Sequence, residues 1–149
     1  MRKLEIIEEN PFEVGLKALA TDRMDDALKW FRKAVEENRT PLACSYLAYC
    51  LAKEEGNYRE AVAICMDAMK DEPQNPAIYL NLGRVYVLSG HKRSALRAFE
   101  LGLRYGKNQE IVNEIDLLGW RQNPPLPFLP RANPLNKMLG KIMKKVGLR

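Results

Sequence analysis

ALRAFELG at residues 95–102 has two counterparts in the same chain, AVAICMDA at 61–68 and ALKWFRKA at 27–34. The three octets stand 34 residues apart. Alanine opens each one (Ala27, Ala61, Ala95), and an aromatic or a cysteine follows four residues on (Phe31, Cys65, Phe99). A small residue comes seven on (Ala34, Ala68, Gly102). Offsets of this kind lie on one face of an α-helix. A small–large–small face repeated at a fixed period marks a stack of like units, none of which can bury that face alone.

Working outward, each octet sits inside a hairpin of two helices. Asn10-Pro11, Thr40-Pro41 and Asn75-Pro76 mark the starts. The Asn or Thr side chain can accept from an orphan N–H of the first turn, and proline at the next position loses no hydrogen bond there. Turns are expected at Thr21-Asp22, Gly56-Asn57 and Ser89-Gly90. Second helices are expected from Asp25 to Glu37, Tyr58 to Asp71 and Lys92 to Tyr105, with Gly106 as a left-handed cap. A further helix from Gln109 to about Trp120 would close the stack. It would turn Ile111, Ile115 and Leu118 inward, and Glu110, Asn113, Glu114 and Asp116 toward solvent.

These residues resemble the tetratricopeptide repeat, a 34-residue helix–turn–helix. The third copy matches through Tyr79, Leu82, Gly83, Tyr86, Ala95, Phe99 and Gly102. The first matches through Gly15, Ala27, Phe31 and Ala34, and the second through Leu47, Ala48, Leu51, Ala61, Cys65, Ala68 and Pro73. The second copy carries one extra residue in its turn, and Pro11 stands where the first copy would have a large residue. The resemblance implies an all-α helical-hairpin solenoid, wound as a right-handed superhelix. The domain expected is residues 8–120, three repeats and a capping helix.

The remainder is different in kind. Residues 121–133 include Asn123-Pro-Pro-Leu-Pro-Phe-Leu-Pro130, a Pro-rich linker that favours extended polyproline II. Residues 134–149 read as a basic C-terminal amphipathic helix. Its apolar residues are Leu135, Met138, Leu139, Ile142, Met143 and Val146, and Lys137, Lys141, Lys144 and Lys145 mostly face elsewhere. The spacing Arg121-x-x-Pro124-x-x-Pro127 also fits an SH3 ligand, but such spacings are common in proline-rich stretches.

The net charge of +5 is distributed unevenly. Residues 1–75 hold 11 basic and 15 acidic side chains, residues 76–118 hold 6 and 4, and residues 119–149 hold 7 basic and no acidic ones. The basic character therefore belongs to the tail. Cys44, Cys50 and Cys65 all lie in the second repeat, an odd number at helix-interior positions. Together with an N-terminus lacking an apolar leader, they point to reduced thiols and a cytoplasmic protein. No C-x-x-C spacing, glycine-rich phosphate loop or nucleophile motif is present, and the lone His91 sits in a turn. No cofactor, metal or catalytic residue is expected.

In this family the first helix of each repeat lines a concave groove. Carried over by register, that places Glu9, Phe12, Leu16 and Leu19, then Ser45, Tyr49 and Lys53 beside Tyr46, then Leu80, Arg84 and Leu88 beside Asn81. Aromatic and arginine side chains are the usual anchors of an interface, although Tyr46 and Tyr49 could equally pack between helices. The expected function is a non-catalytic scaffold or adaptor that binds a peptide segment or helix of a partner protein. Phe12 and Leu16 replace the Lys and Asn of repeats that clamp acidic chaperone C-termini, so an apolar anchor suits this groove better than a free carboxylate. The alternative is a peripheral membrane or nucleic-acid adaptor working through the tail. For that role the helix is short and no aromatics interleave its cations. The tail could also dock on the protein's own array and cover its apolar stripe.

Overall fold

A computed structural model describes residues 9–119 together with Pro134, Met138, Lys141 and Ile142. Seven helices occupy the described residues: α1 (Pro11–Ala20), α2 (Met24–Glu37), α3 (Pro41–Glu55), α4 (Tyr58–Asp71), α5 (Pro76–Leu88), α6 (Lys92–Tyr105) and α7 (Gln109–Leu117). The chain divides into two units, Met1–Leu118 and Gly119–Arg149. In the second unit Gly119 lies in a turn and Pro134, Met138, Lys141 and Ile142 are helical and exposed, and the Pro-rich linker and the rest of the basic helix lie outside the described residues.

Capping residues start the helices where the sequence places them. Asn10 Oδ1 accepts from the Phe12 N–H (3.0 Å), Thr40 Oγ1 from Ala43 N–H (3.2 Å) and Asn75 Oδ1 from Ala77 N–H (3.1 Å). A fourth cap of the same kind, Asn108 Oδ1 accepting from Ile111 N–H (3.1 Å), opens α7. Proline follows each of the first three caps, where its missing N–H costs nothing. Gly56 (φ 66°) and Gly90 (φ 80°) make the left-handed bends of the second and third turns, and Asp22 (φ 56°) makes that of the first. Gly106 does not act as a left-handed cap: its φ of 174° is extended backbone.

Helices α1–α2, α3–α4 and α5–α6 form hairpins, α2 and α4 carry the contact to the next hairpin, and α3 packs on α5. One apolar cluster joins α1, α2 and α3 around Phe31, a second joins α3 to α6 around Cys65, and a third joins α5, α6 and α7 around Phe99. Ala27, Ala61 and Ala95 are fully buried, as are Phe31, Cys65 and Phe99. Ile111 is buried with them, and Ile115 and Leu118 pack against it, as expected of a closing helix.

The inside of each hairpin follows a size rule. A Cβ on Gly15 would lie 2.8 Å from the Phe31 ring, and one on Gly83 would fall within the Phe99 ring's own envelope. Where the second helix carries Cys65 instead of a ring, Ala48 of α3 belongs to the same buried cluster. Ring with glycine and thiol with alanine are two ways of filling one volume at interior density.

The capping helix departs from expectation in one respect. Glu110 and Glu114 do not both point to solvent. Arg84 on α5 donates through Nε to Glu114 Oε1 (2.7 Å) and through Nη2 to Glu110 Oε2 (2.9 Å). Their spacing of four residues puts both carboxylates on the face of α7 that meets α5.

Three stability outcomes follow. Gly83→Ala improves helix propensity by about 1 kcal/mol yet should destabilise the protein by ~1–3 kcal/mol net, because the methyl enters the ring's space. Cys65→Phe should be destabilising alone and recovered in part by Ala48→Gly. Additive effects in that double-mutant cycle, measured by urea unfolding, would refute the size rule. Arg84→Ala should leave the Glu114 carboxylate unpaired and cost about 1.5–3 kcal/mol, with amide exchange rising first in residues 109–117. Unchanged protection in α7 would show that its apolar contacts alone hold it.

Candidate functional site

The first helices of the hairpins, with α7, converge on one cleft of about 360 Å³. Leu16, Leu19 and Ala20 come from α1, Asp22 from the turn that follows and Met24 from α2. Tyr46, Tyr49 and Lys53 come from α3, Arg84 from α5 and Glu110 from α7. Residues 46, 49 and 53 share a helical face, which is why α3 supplies three of them.

The sequence-derived groove residues are distributed unequally. Leu16, Tyr46, Tyr49, Lys53 and Arg84 line the cleft together, with Leu19. Phe12 lies in a different cleft of about 660 Å³, beside Leu42 and Glu37. Its ring belongs to an aromatic trio, 5.7 Å from Phe31 and 5.6 Å from Tyr46. Asn81 is fully buried and offers no surface to a ligand; its Nδ2 donates to Ser45 Oγ (3.0 Å), and its Oδ1 has no partner among the described residues. Ser45 and Leu80 are likewise buried, with the Ser45 hydroxyl donating to the Leu42 carbonyl (2.7 Å). Of the four tail lysines, Lys141 is helical and exposed, and Lys137, Lys144 and Lys145 lie outside the described residues.

The two tyrosines have different roles. Tyr46 is buried and stacks on Phe31 (centroids 5.3 Å, 21° between planes), so most of its ring belongs to the core. Tyr49 is half-buried and carries the Arg84 guanidinium over its face at 5.3 Å, a cation–π contact. Burial pushes both phenols above their ordinary pKa, so both remain neutral donors at physiological pH.

Each cation of the cleft already has a partner. Burial works against the charged form of Arg84, but the hydrogen bonds it donates to Glu114 and Glu110, with their charges, outweigh it and raise the pKa. Only 14% of the Arg84 side chain is exposed. Lys53 Nζ lies 3.7 Å from an Asp22 carboxylate oxygen. Asp22, Met24, Glu110 and Glu114 are the site residues that repeat register alone does not find. The signal for the last two was present in the pair of acids four apart on a helix facing a lone arginine.

The chemistry of reactive groups is muted. Cys44, Cys50 and Cys65 are free and buried, and desolvation pushes Cys50 and Cys65 up to about 12. Thiols held protonated in this way are poor nucleophiles and poor metal ligands. Among the described residues no group of three or more His, Cys, Asp or Glu is placed to hold a metal ion. No described helix is long and apolar enough to cross a membrane.

A family model described as tetratricopeptide repeat matches residues 52–113. The TPR repeat-containing protein YpiA of Bacillus subtilis (strain 168) is 28% identical over 93 residues, which are 62% of this chain and 22% of YpiA. The chain thus spans well under half the length of that relative. Among solved structures the fold is similar to the P58(IPK) TPR domain, with a TM-score of 0.57 at 17% identity over 73% of this chain and 32% of that one. It is also similar to the TPR domain of Sgt2 from Aspergillus fumigatus, with a TM-score of 0.54 at 17% identity over 85% of this chain and 91% of the other. At these identities the likeness to the solved structures is one of fold. Residues 52–113 match the tetratricopeptide-repeat model, and the 34-residue hairpins of this chain share the fold of tetratricopeptide repeats.

Proposed function

We propose that this protein is a non-catalytic interaction module that holds a segment of a partner protein in the cleft formed by α1, α3, α5 and α7. The observation that carries this reading is the convergence of Leu16, Leu19, Tyr46, Tyr49, Lys53 and Arg84 on one concavity. It combines aliphatic and aromatic side chains with a few charged ones, the composition of a peptide-binding surface. Tetratricopeptide arrays bind protein or peptide partners as a class, which supports the assignment without naming the partner. The buried free thiols fit a reducing compartment such as the cytoplasm.

The leading contacts in this reading are Leu16, Leu19, Tyr49 and Lys53, because each keeps exposed surface in the cleft. Tyr46 supports them from beneath. A photo-crosslinking amino acid at Leu19 or Lys53 should trap a discrete partner in cells. The same group at Arg59 on α4 or Arg97 on α6, both exposed and away from the cleft, should not. Equal trapping from the α4 and α6 positions would overturn the assignment to the groove.

A further inference from the structure

We infer that the groove selects a cationic peptide segment, one in which basic residues flank a large apolar anchor. This rests on the groove reading above and adds the chemistry of the occupant. Arg84 and Lys53 alone suggest the opposite, a basic groove that would take an acidic ligand. The ion pairs reverse that expectation.

Four charged side chains line the cleft, Arg84 bound by Glu110 and Lys53 close to Asp22, and Glu114 gives Arg84 a second partner. Acids and bases are equal in number along that lining, but the acid is the more accessible member of each pair, since the Asp22 side chain is 90% exposed against 38% for Lys53, and Glu110 60% against 14% for Arg84. An anionic ligand reaching Arg84 would have to displace Glu110 and leave its carboxylate beside Glu114 with one cation fewer. A cationic ligand needs no such exchange, because Glu110 and Asp22 each keep lone pairs facing solvent. Both acids line the same cleft as Leu16, Leu19 and Tyr49, so a single short segment can set an apolar side chain against those three and a cation beside each acid. Charge placed in this way governs specificity and encounter rate more than affinity, and salt weakens it.

The test uses the full chain and fluorescein-labelled peptides that share one apolar anchor and differ only in flanking residues, Lys, Gln or Glu. In fluorescence anisotropy at low salt the Lys peptide should bind about tenfold tighter than the Gln peptide, and the Glu peptide weakest. The Lys advantage should shrink in Asp22→Asn and in Glu110→Gln, both of which keep hydrogen-bonding capacity, and at high salt. Amide shifts should map binding to Leu16, Tyr49 and Lys53. If Gln or Glu peptides bind as tightly as Lys peptides while shifting those same amides, charge selection fails and the groove reading stands. A Lys preference indifferent to Asp22→Asn and Glu110→Gln also defeats the inference. If peptides of every charge leave the three groove amides unmoved, the groove reading itself fails.

Discussion

The contact on which the array depends is an aromatic ring laid against bare backbone. Phe31 closes the first hairpin on Gly15 and Phe99 closes the third on Gly83, each ring fully buried. Because the facing residue has no side chain, the two helices approach closely and the ring fills the space between them. That close approach sets where the first helices stand, and the first helices present the groove. The same ring also reaches the next hairpin: Phe31 stacks on Tyr46 of α3, and Phe99 shares a cluster with Ile111 of α7. Intra-hairpin packing and inter-hairpin stacking therefore run through the same side chains, which is how repeats too small to fold alone become cooperative.

The second repeat solves the same packing problem with different atoms. Cys65 is smaller than a phenyl ring, and Ala48 shares its buried cluster. Burial then keeps the Cys65 thiol protonated, so the residue behaves as a small apolar group. The polar pair Ser45–Asn81 joins α3 to α5 at the same level, with Asn81 Oδ1 left without a partner among the described residues. An unpaired buried acceptor costs free energy, yet a directed hydrogen bond between successive first helices constrains their register in a way that apolar contacts do not.

Much of this was legible in the sequence because the determinants are local or periodic. The caps at Asn10, Thr40 and Asn75, the 34-residue period and the glycine turns each act over a few residues, and all appear where the residues imply. The groove was legible only in outline. Register says which face of a first helix points inward, but not how deeply a residue sinks. Asn81 and Ser45 share the groove side and are buried, whereas Lys53 remains exposed. Gly106 shows the limit of local reading. A glycine after a helix permits a left-handed cap without requiring one, and here the chain runs extended toward the Asn108 cap. Arg84 shows another limit, since its partners lie 26 and 30 residues away on a helix outside the repeat period.

That last pairing alters what the groove can do. Arginine is a frequent interface anchor because binding removes it from water and gives it new hydrogen bonds. Arg84 has already undergone both changes within its own fold: it is mostly buried, two of its donors are taken, and its plane lies over Tyr49. A partner cannot gain that energy a second time. The guanidinium instead fixes α7 against α5 and brings Glu110 to the mouth of the cleft, so a residue that looks like a ligand-binding cation serves to position an anion. The chain's excess of positive charge lies beyond residue 118 and says little about the groove. Of the four charged side chains that line the cleft, the carboxylates of Asp22 and Glu110 are therefore the ones left open to solvent, while the cations beside them are the more covered.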